Sequence, residues 1–484
     1  MAALLPAPQP HDPPASSPPI PSEIESFVAS ISGVVIRPGD EAYDEARHVH
    51  NTLYDRRPAL IVRAADAADV ARSVTFANDQ GLELAVRAGG HGGAGYGTTD
   101  GGLVIDLSAM KGLHIDPERR LAWAQPGLTA GEYTAAAAAH GLTTPFGDTG
   151  SVGIAGLTLG GGIGWLVRKH GLTIDSLVSV ELVTADGRLV TASETRNPDL
   201  FWAVRGGGGN FGVVTRFVFR LHPVATVLGG ALFLPVTREV IAGLVPLAEA
   251  APEELTTIAF IMPTPPLPFV PEEHHFKPSV ILMFVHASDD IAAGQAALEP
   301  FRALATPFAE GVFPMPYPAI YDFTAEAGKP GPGVVRSLML EELDDETIDT
   351  ILARVVAPSS PAAITEIRVL GGAMARVPTD ATAFAHRDAR ILIALLTGFE
   401  DPAEAPIHEA WTQEYFEEIA AKSTGVYSNF LGAEGEARLR EAYPTRTYER
   451  LAEVKRAYDP TNLFRLNQNI IPAAEVRQRR FGSL

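Results

Sequence analysis

The 484-residue chain contains no cysteine, which excludes disulfides, zinc-thiolate sites, iron–sulfur clusters and thiol catalysis. It is also short of positive charge: 38 Lys and Arg against 58 Asp and Glu leave a formal net charge of −20. A field of that sign repels nucleic acid and anionic lipid, so neither is expected as a partner. No apolar stretch is long enough to cross a bilayer. The first 22 residues are proline-rich and lack the basic start and apolar run of a signal peptide; residues 1–22 are therefore expected to be a disordered tail, and the protein to be cytoplasmic. Histidine is sparse. His48 and His50, and the pair His274 and His275, come without a third ligand at site spacing, so no metal site is expected. The serines lack the G-x-S-x-G spacing of a nucleophile elbow, which removes serine hydrolases. The basic RQRR at 477–480 reads as a solvated tail.

What the chain has in excess is glycine, 45 residues, concentrated where it carries information. RAGGHGGAGYG (87–97) and PFGDTGSVGIAGLTLGGGIG (145–164) are too glycine-dense to be ordinary packing elements, and the first presents one histidine, His91, in a loop with few other side chains. Glycine reaches positive φ and lets a backbone approach a ligand closely, at an entropic cost that folding alone does not justify. A large anionic cofactor would justify it. GHGGAG (90–95) and GGGNFG (207–212) both fit the dinucleotide pattern G-x-G-x-x-G, but that pattern has mechanical meaning only between a strand and a helix. A turn follows Gly95 and a β-branched run follows Gly212, so a nicotinamide-binding fold is rejected. Loops of converging backbone N–H groups can still hold a pyrophosphate without a helix.

The remaining pattern predicts an α+β protein. Strands are expected at 59–63, 82–87 and 103–107, helices at 66–81 and 129–141, a hairpin around Asp186-Gly187, and a short helix at 197–205 capped by Asn197. Residues 23–223 form one unit in which glycine loops join strands. Residues 224–422 read as a second unit, with strands near 280–287, 364–373 and 391–399 and helices against them. Residues 423–484 form a C-terminal segment. The run at 258–276 is apolar enough to suggest an aromatic ligand over a sugar, although such runs ordinarily serve core or loop packing.

Taken in succession, R-x-G-G-H (87–91), DGGLVIDLS (100–108), SVGIAGLTLGGGIG (151–164), RGGGGNFGVVT (205–215) and YDPTNLFRLNQNI (458–470) resemble the FAD-linked oxidases of the vanillyl-alcohol-oxidase superfamily. The likeness is to the berberine-bridge-enzyme-like branch that includes 6-hydroxynicotine and sugar oxidases, and it runs from about residue 33 to 472. It implies the two-domain PCMH-type FAD-binding fold: an FAD-binding module made of 23–223 completed by 423–484, and a substrate domain, 224–422, of antiparallel sheet covered by helices.

Residue by residue, the resemblance implies that His91 is joined covalently to the 8α-methyl of the isoalloxazine. Arg87, Ala88, Gly89, Gly90 and Gly92 correspond to the pyrophosphate loop, while Ser151, Val152, Gly153, Gly156 and Gly161 correspond to the loop passing the flavin. Val214 falls near the adenosine portion, and Asn467 and Asn469 close the flavin side. Many members of the branch add a second bond to a cysteine. That position here is Thr149, so a single link through His91 is expected. Such a tether withdraws electron density from the ring, raises its reduction potential and prevents cofactor loss; the plain alternative is a loop histidine with FAD held noncovalently.

Tyr427 in GVYSNF (425–430) corresponds to the base that takes the substrate O–H or N–H proton, with Asn429 orienting it. A tyrosine that merely fills an interface is the competing reading; weaker candidates for the base are Tyr96, in the His91 loop, and His386, in a stretch that reads rather as holding the sheet of the second unit. Valine at 152, where dehydrogenases carry leucine, implies access for dioxygen. The function implied is oxidation of a small organic substrate (an alcohol, an amine or a secondary metabolite) by covalent FAD, with dioxygen as acceptor and hydrogen peroxide as product. The alternatives are a dehydrogenase with another acceptor, a noncovalent reductase, and a flavin-retaining binding protein without turnover.

Overall fold

The structure, a computed structural model, describes residues 21–474 apart from Ala225 and Ala327. The expected tail at 1–22 lies outside this range except for its last two residues, which open the helix Pro21–Ser30, and RQRR at 477–480 lies outside it as well. No helix among the described residues is long and apolar enough to cross a membrane.

The fold is α+β, built on three main sheets. The first has the order Val34–Ile36, Leu60–Arg63, Leu103–Asp106, Leu84–Arg87, with Leu103–Asp106 parallel to both of its neighbours. The helix Ala67–Asp79 carries the chain from Leu60–Arg63 to Leu84–Arg87 on the far side of Leu103–Asp106, started by the Asp66 carboxylate accepting from the N–H groups of Ala68 and Asp69, and the first glycine loop then crosses back to Leu103–Asp106. The register sets Arg87 opposite Asp106 at the end from which the first glycine loop leaves. The second sheet is antiparallel, in the order Leu113–Asp116, Leu121–Ala124, Val213–Arg220, Leu177–Val183, Leu189–Ser193. Its last two strands are the expected hairpin through Asp186-Gly187.

The third sheet is antiparallel and seven-stranded: Ala309–Pro316, Thr226–Pro235, Pro278–His286, Leu255–Pro263, Ala362–Val369, Ile391–Gly398 and Gly333–Leu340. Side chains alternate across a strand, and here the two faces feed different cores. Leu232, Leu282, Phe284 and Ile367 pack among helices that include Arg238–Ala250, Asp345–Val356 and Ala405–Ala420. Phe233, Ile258, Ile281 and Met283 instead join Phe146, Phe217, Tyr317 and Tyr321 of the larger core, which also contains residues of the second sheet. The apolar run at 258–276 is thus partly strand, and its Ile258 and Ile261 are core residues on opposite faces.

Three local expectations are corrected. The second glycine stretch is not loop throughout, since Ile154–Gly160 is helical. Asn197 precedes the helix Pro198–Ala203 but does not cap it: its φ is +48° and its side chain donates to the Thr191 carbonyl instead. His386 does not bond to the large sheet; a ring nitrogen pairs with the Glu441 carbonyl at 2.8 Å, in the helix Gly435–Ala442.

Candidate cofactor and active site

The two glycine stretches touch backbone to backbone. A Cβ on Gly89 would collide with the amide nitrogen of Gly153, and one on Gly153 would lie 2.6 Å from the nitrogen of Gly89. Any side chain at either position forces the loops apart, which is a physical reason for glycine at both. Gly90 sits at φ +72°, in the left-handed region that glycine enters without strain. By contrast a Cβ at Gly92 or Gly156 would meet nothing within 4 Å, so their bareness is not explained by the protein itself.

The Arg87 guanidinium turns inward. It pairs with Asp106 at 3.2 Å and donates to the carbonyls of Ala46 and His48, so it braces the loop from below. Next to it lies a cavity of about 1150 Å³ lined by His48, His50, Arg87, Gly89, His91 and Ser151 among others, somewhat larger than the usual small-molecule site of about 300–1000 Å³. Burial, reinforced by the adjacent His50 ring, lowers the His91 pKa to about 4, against a smaller opposing effect of the Ser151 backbone. The imidazole is therefore neutral at physiological pH.

Across the helix Ile154–Gly160, Tyr427 and Asn429 form a compact unit. The phenol oxygen of Tyr427 accepts the Gly162 N–H at 2.9 Å and Nδ2 of Asn429 at 2.8 Å, and the same Nδ2 donates to the Leu157 carbonyl at 3.0 Å. Gly160 is required here, because a Cβ would overlap the Asn429 amide. A Cβ on Gly161, at φ +134°, would lie 2.9 Å from the Phe384 ring. Burial raises the Tyr427 pKa, while the two hydrogen bonds it accepts pull the other way. With both lone pairs engaged, the phenol proton must point away from these partners. The phenolate, if formed, is already solvated by two N–H donors.

Asn467 and Asn469 come from the C-terminal segment, which is stapled to the loop 206–212. Asn210 donates to the Gln468 carbonyl at 3.0 Å and its Oδ1 accepts the Ile470 N–H at 2.9 Å. Behind it the buried Lys455 ammonium donates to Asn210, Phe464 and Asp459. This fixes both asparagines, yet their Oδ1 atoms are buried without a hydrogen-bond partner. Buried polar atoms are rarely left unpaired. The touching glycines, the cavity beside His91 and these two orphaned oxygens fit an extended polar cofactor such as FAD. Val214 is a buried strand residue in Val213–Arg220, and Val152 is half-buried with its carbonyl accepting the Ala130 N–H.

Sequence reasoning missed one charged group. Arg368, fully interior, pairs with Glu366 and, at 2.5 Å, with Asp148 in the second glycine stretch, and its guanidinium lies 5.3 Å from the Phe430 ring centroid. Burial raises the Glu366 pKa, opposed by Arg368. The signal was present: two charged residues at i and i+2 on one face of the apolar strand Ala362–Val369. Among the described residues no group of three or more His, Asp or Glu could hold a metal. His50 stacks on His91.

Comparison with known proteins gives a consistent result. Residues 58–193 match the family model described as an FAD binding domain, and residues 426–471 match that described as berberine and berberine like. The first span holds the touching glycines and His91; the second holds Tyr427, Asn429, Asn467 and Asn469. The (R)-6-hydroxynicotine oxidase of Paenarthrobacter nicotinovorans is 34% identical over 462 residues, 92% of this chain and 97% of that protein. The crystal structure of 6-hydroxy-D-nicotine oxidase from Arthrobacter nicotinovorans superposes with a TM-score of 0.82 at 30% identity, covering 92% of this chain and 99% of that one. Glucooligosaccharide oxidase from Acremonium strictum, whose FAD is described as 6-S-cysteinyl, 8α-N1-histidyl, shares the fold with a TM-score of 0.82 at 24% identity, over 93% of this chain and 100% of that one.

Proposed function

The chain belongs to the FAD-linked oxidoreductases that end in a berberine-like segment, and from that premise we propose that it is an oxidase of a small organic alcohol, amine or secondary metabolite, with FAD linked once, through His91, and dioxygen as acceptor. In this reading residues 23–223 and 423–484 hold FAD, residues 224–422 cover its reactive face, and the substrate binds between them.

Bound FAD would supply the two-electron acceptor, taking hydride from the substrate carbon and passing the electrons to dioxygen as hydrogen peroxide. Gly89, Gly90, Gly92, Gly153 and Gly156 would bring bare backbone to the cofactor, with Ala88 and Ser151 beside them. Asn467 and Asn469 would accept hydrogen bonds from its far edge through the Oδ1 atoms now lacking partners. Single attachment is supported by the neutral, cavity-lining His91 and by Thr149 where a second anchor would need cysteine.

Tyr427 takes the substrate proton at its oxygen as the phenolate, which must lose its own proton first. Asn429 and the Gly162 N–H hold that oxygen in place and stabilise the negative charge it carries until the substrate proton arrives. This two-donor clasp is the observation that carries the assignment of the base. With FAD bound, Val152 would leave room for dioxygen, whereas a bulkier leucine would slow reoxidation and leave reduction untouched.

The test is a panel of alcohols, N-heterocycles, phenolic metabolites and oligosaccharides mixed with the purified protein in a stopped-flow instrument. Bleaching of the flavin followed by rapid recovery in air with peroxide release supports the oxidase. Bleaching with slow recovery in air identifies a dehydrogenase, and no bleaching with any substrate identifies a binding protein.

A further inference from the structure

His91 does not stand alone in its loop. Its ring is stacked on that of His50, with centroids 4.1 Å apart and planes 27° apart. The main chain fixes this pairing: the His50 N–H donates to the Gly90 carbonyl at 3.0 Å, and the His50 carbonyl accepts the Gly331 N–H at 3.0 Å. Position 50 is therefore held beside position 91 by bonds that do not involve its side chain. Both rings line the same cavity, and Nε2 of His50 is buried with no hydrogen-bond partner, so the ring is not there to satisfy a protein acceptor through that atom.

The immediate chain neighbours of His91 offer no wall of their own. Gly89, Gly90, Gly92 and Gly93 flank it, and rotation of a histidine ring about its second side-chain torsion is broad unless something packs against it. Two of these glycines, 89 and 90, are committed by contact and by positive φ, so loop geometry sets where the His91 backbone lies but not where its ring faces. Neighbours from other segments do that: the Ser151 backbone bonds to the ring, and His50 packs against its face.

Resting on the reading of His91 as the attachment point, we propose that His50 is the positioning residue for covalent attachment of FAD: its stacked ring sets the plane of the His91 imidazole so that a ring nitrogen faces the 8α-carbon. In that step one C–H bond of the 8α-methyl and the imidazole N–H are broken and one N–C bond forms. The two electrons and two protons released are taken up by the isoalloxazine of the same FAD, and dioxygen then removes them as hydrogen peroxide. Attachment needs a nitrogen lone pair, and burial together with the His50 ring keeps His91 neutral at physiological pH. A one-ring misorientation is costly, because a small misplacement of reacting groups lowers rates by factors of about 10².

The test separates attachment from binding. Protein produced in a flavin-depleted host is loaded with FAD and acid-precipitated at intervals; flavin left on the pellet reports attachment, and quenching of flavin fluorescence on mixing reports reversible binding. H50A and H50L are expected to attach FAD about tenfold or more slowly than the wild type when all are compared at saturating FAD, so that a change in reversible affinity does not enter the rate. H50F, which restores a planar ring, is expected to recover the wild-type rate. Attachment by H50A and H50L at the wild-type rate overturns the proposal, as does H50F remaining as slow as they are. A wild-type chain that binds FAD but releases all of it in acid overturns both this role and the single link, and leaves the FAD site standing. A wild-type chain that binds no FAD overturns the underlying reading itself.

Discussion

The phenol oxygen of Tyr427 accepts a hydrogen bond of 2.8 Å from Nδ2 of Asn429, two residues further along the chain. The Gly162 N–H completes the clasp from the helix-to-loop junction, 265 residues away. Replacing Tyr427 with Phe keeps the ring that packs against Phe384 and Phe430 and removes only the oxygen. Flavin reduction is expected to fall by ~10²-fold or more if this group is the base, with the flavin still bound and its spectrum retained. Stopped-flow reduction under anaerobic conditions measures it, and an unchanged rate eliminates Tyr427 as the base.

The glycines of the two stretches should separate into those the fold needs and those the cofactor needs. Gly89→Ala drives a methyl into the Gly153 backbone and is expected to lower thermal stability of the flavin-free chain. Gly156→Ala projects into open space from the helix Ile154–Gly160, so the flavin-free chain should melt no lower and gain up to about 0.5–1 kcal/mol from the helix preference of alanine, while FAD affinity should drop because the added methyl occupies the surface assigned to the flavin. Parallel thermal melts and FAD titrations decide. Full FAD affinity in the Gly156 variant would remove that residue from the binding surface.

Breaking the Arg368 cluster should be costly. Arg368→Met leaves Asp148 and Glu366 without their shared cation in a buried setting, and removal of one partner of a buried pair typically costs about 3–5 kcal/mol. A downward shift of the urea midpoint is the expected result. Restoring activity by raising substrate concentration would show that the loss lies in substrate binding; loss at saturating substrate would place it in the geometry of the second glycine stretch.

Acid should weaken the fold through a second histidine stack. His170 and His222 lie with ring centroids 4.3 Å apart. Burial first, and neighbouring histidine or arginine charge second, lower their pKa values to about 3 and about 4. Unfolded histidines titrate near 6.5, so at pH 5 the unfolded chain binds protons that the folded chain does not. Stability from these groups is therefore complete above about pH 6.5 and declines as pH falls towards 4, by up to about 1.4 kcal/mol per pH unit for each histidine. Urea titrations at pH 7 and pH 5 should show this loss, and His170→Phe should reduce it. Identical pH sensitivity in that variant would show that His170 does not contribute.

Sequence alone determined the class of cofactor. The R-x-G-G-H segment, the second glycine stretch and the final Y-D-P-T-N run are local patterns whose meaning does not depend on distant contacts, and the strands, the Asp186-Gly187 hairpin and the helix opened by Asp66 follow from short-range periodicity and capping. Local chemistry misled where tertiary forces prevailed. Ile154–Gly160 is helical despite its glycines because Ile154, Ala155 and Leu159 bury one side in the larger core, while Gly153 and Gly160 stand where the Gly89 backbone and the Asn429 amide press against it. Only the folded chain could bring His50 over His91, or Asp148 onto Arg368, 220 residues apart. Such pairs are set by register between separate strands and loops, and a linear pattern holds no record of which side chains meet once those elements pack.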